Sequence, residues 1–185
     1  MENCKRILVI NPGSTSTKIA LYENEHEINS QTLQHSAEEL GKCKEINDQL
    51  EMRRQAVLDY LELIGKPVDS LSAIAARGGV IGKLNSGAYL IDEPLVKASK
   101  NSPAPHAANI APVIAYELAK MAGIKAYIYD AVCGCGNPQE VFTITGMPEI
   151  EKPFLTHVLN SRAVSIQQAK SDGKDLKDTT YIVAH

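Results

Sequence analysis

Lysine and arginine never cluster beyond pairs such as Lys5-Arg6 and Arg53-Arg54, and the formal net charge of the 185 residues is −3. Binding to nucleic acid or to an anionic membrane surface needs a basic patch, so both partner classes are excluded, and an anionic ligand would need a locally built site. Long apolar runs are missing too. "ILVI" stops at Asn11, too short for the apolar region of a signal peptide or for a membrane span. The most apolar stretch, Ala107 to Val132, is interrupted by Pro112, Glu117, Lys120, Lys125 and Asp130. A cytoplasmic setting is therefore expected. Cys4, Cys43, Cys133 and Cys135 have neither the density nor the spacing of a disulfide framework or a four-ligand zinc site, so free thiols are expected. There is no Gly-x4-Gly-Lys loop of the Walker type, no internal repeat and no low-complexity tract.

What is present alternates. With 44% hydrophobic residues the chain can bury the core of one domain or two small ones. Arg6 to Ile10 and Thr17 to Tyr22 read as strands, and a turn at Asn24 to Glu27 leads into a third near Ile28 to His35. Together they predict an antiparallel meander with a hydroxyl-rich loop at its first bend. Ile46, Leu50, Val57, Leu61 and Ile64 share one face of a helix from about Asn47 to Ile64, stopped by Gly65-Lys66-Pro67. Strands are expected at Ser72 to Ala76 and Ala88 to Ile91, then a helix from about Ala107 to Ala122 ended by Gly123, then the strand "IKAYIYD". Pro153 is expected to open a helix to about Lys170 with Leu155, Val158, Leu159 and Ile166 as its apolar side, and "TYIVA" to form a last strand before His185. Strands alternating with helices predict an α/β layered domain. A buried-looking strand at the end either closes the sheet or marks a chain cut short.

The first bend reads Asn11-Pro12-Gly13-Ser14-Thr15-Ser16-Thr17-Lys18. Gly13 can adopt backbone angles that bring amides to an anion, Ser14, Thr15 and Ser16 each offer a hydroxyl, and Lys18 offers one positive charge. Asn11 is a neutral oxygen ligand suited to a magnesium ion that keeps its waters. The bend can hold a phosphate, yet small polar residues in a hairpin also make a plain turn, and composition leaves both readings open. Arg77 precedes Gly78-Gly79; its planar fork can hold a carboxylate or acyl phosphate in two parallel hydrogen bonds, and the glycines would let a ligand or backbone come close. A surface arginine near a turn is the alternative. Asp130, at a strand end, is open to a capping role.

"ILVINPGSTSTKIALYE" resembles the opening of the butyrate kinases, a branch of the acetate kinase family with the actin-like, hexokinase-like ATPase fold. "QHSAEEL", "ARGG", "APHAANI", "YIYDAV", "TGMPEIEKP", "HVLNSRAV" and "YIVAH" follow in the family's order, so the resemblance covers nearly all 185 residues. It implies an α/β domain of the actin-like (ribonuclease H-like) class: a mixed sheet with an N-terminal antiparallel meander and flanking helices. Residues 1–185 would form the N-terminal kinase-type domain, cut short at the start of a second domain.

The resemblance also assigns roles. Asn11, Gly13, Ser14, Ser16 and Lys18 would face the nucleotide phosphates, with Asn11 and Asp130 near magnesium, partly through water. Asp130 would be the essential carboxylate beside the reacting groups, and His157 would stabilise the transferring phosphoryl group. His106 and Asn109 would start the substrate-side helix, and Arg77 would present the carboxylate. Arg77 departs from the pattern, since acetate kinases carry a His before this Gly pair and their substrate Arg three residues earlier, where this chain has Ile74. Cys133 and Cys135 are read as lineage variation in a loop. The implied cofactors are ATP and Mg²⁺, the acceptor is butyrate or a related short-chain carboxylate, and the full-length form is a homo-oligomer. A non-catalytic fragment that binds a partner or an anion, another short-chain or branched-chain carboxylate kinase, and a sugar kinase of the same fold are the alternatives. "PEIEKP" and "HSAEEL" speak against the last.

Overall fold

The computed structural model describes residues 4–82, 84–133, 144–147, 149–150 and 157–184. Three strands, β1 (Arg6–Pro12), β2 (Ser16–Glu23) and β3 (His26–Gln34), form the expected antiparallel meander. Asn24, at φ 55°, closes the second bend, its side-chain Oδ1 accepting from the Lys5 N–H. A short helix α1 (Ala37–Gly41) follows, started by a reciprocal cap between Ser36 and Glu39. A 3₁₀ turn at Ile46–Gln49 then runs into α2 (Leu50–Leu63), so the predicted helix from Asn47 is present with a tighter first turn.

The remaining strands are β4 (Ala73–Ala76), β5 (Ala88–Leu90) and β6 (Lys125–Tyr129), with α3 (Glu93–Lys100) and α4 (Ile110–Ala122) between the last two. The sheet order is β3-β2-β1-β4-β6-β5. β1, β4 and β6 run parallel at its centre, and β5 returns antiparallel at one edge. Register explains the core. Leu8 and Ile10 lie beside Ile74 and Ala76, which lie beside Ala126 and Ile128, and all six are buried on one face. Val57 and Leu61 of α2 and Ile110, Ile114 and Leu118 of α4 belong to the same buried cluster. Each such aliphatic side chain contributes about 1.5–3 kcal/mol by leaving water. Gly123, at φ 66°, ends α4 in the left-handed conformation, where a side chain would be strained.

Two expectations near the end of the chain are corrected. Residues 181–184 form no strand, and Ile182 is 97% exposed. The β-branched composition of "TYIVA" favours a strand only where a neighbour supplies hydrogen bonds and a surface to pack on, and the sheet's edges here are β3 and β5. The predicted helix at Pro153 appears as α5 (Val158–Ser171), with residues 151–156, including Leu155, outside the described residues. Its apolar side is not buried: Ala169 is its one buried residue, while Val164 and Ile166 are exposed. No helix among the described residues is long and apolar enough to cross a membrane.

Candidate active site

Parallel strands end together, so whatever follows β1, β4 and β6 is gathered along one edge of the sheet, where α/β proteins bind their ligands. After β1 comes the hydroxyl hairpin, after β4 come Arg77, Gly78 and Gly79, and after β6 comes Asp130. The Arg77 N–H donates to the Ile10 carbonyl at 2.9 Å, which carries the β1–β4 pairing one step beyond the strand and sets Arg77 beside Asn11. Asn11 in turn pairs across β2 with Lys18. Since Ile10 and Ala76 face the core, Asn11, Lys18 and Arg77 project to the opposite side of the sheet.

The hairpin tip is held by its carbonyls. The Gly13 N–H donates to Ser16 O at 2.7 Å, and the His35 N–H to Thr15 O at 2.9 Å. From below, the fully buried Arg53 of α2 donates to Ser14 O (3.0 Å), Ser16 O (2.8 Å) and the Thr17 hydroxyl (2.9 Å). Gln49 Oε1 accepts from Nε and Nη2 of the same guanidinium. Three consecutive carbonyls are therefore occupied, whereas the N–H groups of Ser14 and Thr15 and the hydroxyls of Ser14, Thr15 and Ser16 make no hydrogen bond among the described residues. The tip offers donors and withholds acceptors, which suits an anion. Gly13 is corrected in its part: its φ is not in the left-handed region and its amide is already bonded within the hairpin. The amides open to an anion are those of Ser14 and Thr15.

Thr17 links this support to a histidine. Its hydroxyl accepts from Arg53 and lies 2.8 Å from His35 Nε2. The hydroxyl has a second lone pair and one proton left, so it can bond His35 Nε2 in either tautomer of the ring. Burial, and next the Arg53 charge, hold the His35 pKa below the usual imidazole value.

At the other side of the edge Asp130 adopts φ 42°, a left-handed angle that a non-glycine residue takes at some strain. Its carboxylate is buried. Oδ1 accepts from the Ser86 hydroxyl (2.6 Å) and the Gly87 N–H (2.8 Å), and Oδ2 pairs with Arg162 of α5 at 2.8 Å. Arg77 makes no hydrogen bond or ion pair among the described residues; burial lowers its pKa, opposed by the attraction of nearby Asp130. A half-buried guanidinium without a fixed partner is a ready acceptor site for a carboxylate or phosphate.

Of the two close approaches expected at Gly78-Gly79, by a ligand or by backbone, the protein itself makes the second. A Cβ on Gly78 would run into Ala131, and one on Gly79 into Asn109. Asn109 is buried and its amide is used at both ends: Oδ1 accepts from the Val80 N–H (2.8 Å) and Nδ2 donates to Ala104 O (2.9 Å). It therefore braces the loop after Arg77 and stands at the start of α4. His106 is exposed, its Nδ1 accepting from the Ala108 N–H at 3.0 Å, so any proton the neutral ring carries sits on Nε2. His157 is exposed at the start of α5, the helix that Arg162 ties to Asp130. Cys133 is free, its thiol donating to Gly79 O; Cys135 lies outside the described residues.

The structure thus brings Asn11, Ser14, Ser16, Lys18, Arg77 and Asp130 to one edge and attaches the segments of His106 and His157 to it. The sequence reading missed Arg53, Gln49 and Arg162. The pair Arg53-Arg54 was visible only as charge, and the hairpin atoms that Arg53 holds lie 36 to 39 residues away. As to magnesium, no group of three His, Cys, Asp or Glu side chains that could hold a metal occurs among the described residues. Asn11 and Asp130 sit on either side of β4, with backbones about 10 Å apart at a strand spacing of about 4.8 Å. Asp130 Oδ1 carries two hydrogen bonds and Oδ2 one, so the donor set fits an ion held by Asn11 and Asp130 partly through water.

No protein-family model matches the chain. A "Probable butyrate kinase" of Thermotoga petrophila is 43% identical over 181 residues, 97% of this chain and 50% of the relative. Butyrate kinase 1 of Clostridium acetobutylicum is 41% identical, covering 97% of this chain and 51% of the relative. The chain thus spans about half the length of the curated relatives it matches. Among solved structures, Porphyromonas gingivalis acetate kinase superposes with a TM-score of 0.64 at 16% identity, over 95% of this chain and 51% of that one. A Francisella tularensis propionate kinase gives 0.53 at 18%, over 92% and 50%. These establish the expected actin-like ATPase fold.

Proposed function

We propose that this chain, homologous to the butyrate kinases through nearly all of its residues, forms the phosphate-holding part of a kinase that moves the γ-phosphoryl group of ATP onto a short-chain carboxylate, butyrate or a near relative. The single observation that carries the reading is the hairpin tip, with three carbonyls engaged, two of them inward by Arg53, and the Ser14 and Thr15 amides and the hydroxyls left open. In the reaction a carboxylate oxygen bonds to the γ-phosphorus as the bond to the β-γ bridging oxygen breaks, giving acyl phosphate and ADP. Little covalent chemistry falls to the protein, whose work is alignment and neutralisation of charge on the phosphoryl oxygens.

In this reading Ser14, Thr15 and Ser16 donate to the phosphates and Lys18 adds charge at the same edge. Arg77 takes the acceptor carboxylate in its fork, with His106 nearby in the chain path. His157, carried by α5, approaches the phosphoryl group, and Asp130 fixes that helix through Arg162. Mg²⁺, when bound, supplies charge neutralisation between the phosphates, with Asn11 and Asp130, partly through water, as its protein contacts. The setting is read as cytoplasmic, and the complete protein as the carboxylate kinase.

Hydroxylamine trapping of acyl phosphate tests the proposal. A protein joining this chain to the remaining half that its relatives carry is expected to form butyryl hydroxamate from butyrate and MgATP. No product with any acid of two to five carbons overturns the assignment. Contacts from the other half that the relatives carry are expected to hold adenosine and exclude water, so the 185 residues alone are expected to yield no product and to bind MgATP at roughly the millimolar level, about 4 kcal/mol. Turnover by the chain alone would show instead that its own residues complete the site.

A further inference from the structure

We infer that Arg53 is a positioning residue of the phosphate hairpin: from beneath the sheet it draws two carbonyls of the tip inward and so turns the Thr15 amide toward the ligand. The inference rests on the hairpin being the phosphate contact, and adds to that reading a residue on a different element, in the second turn of α2, that touches neither substrate nor nucleotide.

The argument starts from a peptide's geometry. No peptide bond among the described residues is cis, and in a trans peptide the C=O and the following N–H point in opposite directions. Arg53 Nη2 holds the Ser14 carbonyl at 3.0 Å, so the Thr15 N–H is directed away from Arg53. Nη1 holds the Ser16 carbonyl at 2.8 Å, and the His35 N–H holds that of Thr15. Without these bonds a glycine-containing tip could rotate its peptide planes and present carbonyl oxygens, which repel phosphate. Gln49, one turn earlier on the same side of the helix, fixes the fork through two bonds to its Oε1 at 3.0 and 2.9 Å.

Charge makes the same point. Arg53 has no exposed surface, and every acceptor it touches is neutral: two carbonyls, a hydroxyl and an amide oxygen. Among the described residues no carboxylate lies within ion-pair distance of it. A buried guanidinium without a counterion is a poor device for stability alone, since an apolar side chain would pack there with no desolvation penalty. Its uncompensated charge acts through the low-dielectric hairpin on whatever binds above it.

The test uses the 185-residue chain and sodium tripolyphosphate, which carries the phosphate chain of ATP without adenosine. Amide NMR titration of the natural chain is expected to move the Ser14 and Thr15 resonances. Arg53→Lys, which keeps the charge but cannot serve all the acceptors, is expected to weaken binding at least tenfold. Gln49→Glu keeps the acceptor for the fork while neutralising its charge, and is expected to weaken binding about threefold or more with no loss of thermal stability; it keeps the test decisive if Arg53→Lys does not fold. A folded Arg53→Lys, or a Gln49→Glu, that binds within twofold of the natural chain overturns the positioning role alone. Natural chain whose Ser14 and Thr15 amides do not respond overturns the hairpin reading and this inference with it.

Discussion

The hairpin at Gly13 to Ser16 and the corner at Asp130 occupy the two sides of one sheet edge, and they bury opposite charges. At the hairpin the buried group is a cation, Arg53, and its partners are all neutral. At the corner the buried group is an anion, Asp130, and one of its partners is Arg162, whose side chain is 39% exposed. A charge with its counterion beside it projects little field, whereas an unaccompanied one projects its full potential through the low-dielectric surroundings. The hairpin side is thus positive and rich in donors, and the corner is close to neutral while Arg162 stays in place. Between them stands Arg77, without a fixed partner. The difference teaches that one side is built to attract an anion and the other to hold elements in position around it.

The sharpest way to break this comparison is to remove the charge at the corner. On the kinase reading proposed above, in a protein joining this chain to the other half its relatives carry, Asp130→Asn keeps acceptors for Ser86 and Gly87 but releases Arg162, and turnover is expected to fall about 100-fold or more while KM for ATP changes far less. Steady-state kinetics read both, and unchanged turnover would reduce Asp130 to a cap of the loop after β6. The next effect is on the brace that links the two sides. A Cβ on Gly79 would lie 2.7 Å from the Asn109 backbone nitrogen and closer still to its side chain. Gly79→Ala is therefore expected to destabilise the fold by about 2–3 kcal/mol in urea unfolding, and a loss under about 0.5 kcal/mol would mean that the loop after Arg77 moves independently of α4.

The smallest expected effect sharpens the hairpin side. His35 has a pKa lowered by burial and by Arg53, so the unfolded chain takes up a proton at higher pH than the folded one. Stability from this source is complete above the unfolded value of about 6.5 and declines as pH falls through it toward the folded value. Thermal unfolding from pH 8 to 5 should show that decline, and His35→Gln should flatten it. An equal slope in the variant assigns the pH dependence to other groups.

Local signals were legible. The meander, the parallel strands and α4 with its Gly123 stop follow from period-two and period-three-to-four patterns that neighbouring residues share. The short helices α1 and α3 went unread although Ser36 with Glu39, and Asp92 with Pro94, mark their starts; eight residues or fewer carry too little periodicity to stand out. "TYIVA" misled for the opposite reason, since its propensity is strong but its state depends on a neighbouring strand. Asn11, Ser14, Ser16, Lys18, Arg77 and Asp130 stand at bends or strand ends, which is why the chain alone shows that they gather where the parallel strands end. The bracing contacts of Asn109 were not legible, because nothing near it in sequence reveals that Val80 and Ala104 take both ends of its amide.

By itself the sequence determined the α/β order of elements, the hydroxyl-rich first bend and the likeness to carboxylate kinases, all of which reside in contiguous motifs. Only the tertiary structure decided which side of that bend faces outward, which guanidinium is unpartnered and which carboxylate is closed off. Those outcomes depend on bonds between residues 29 to 44 positions apart, such as Arg53 to Ser14, Asn109 to Val80 and Asp130 to Ser86. A hydrogen bond of that kind is fixed by the packing of whole helices against the sheet, and no pattern of neighbouring residues encodes it.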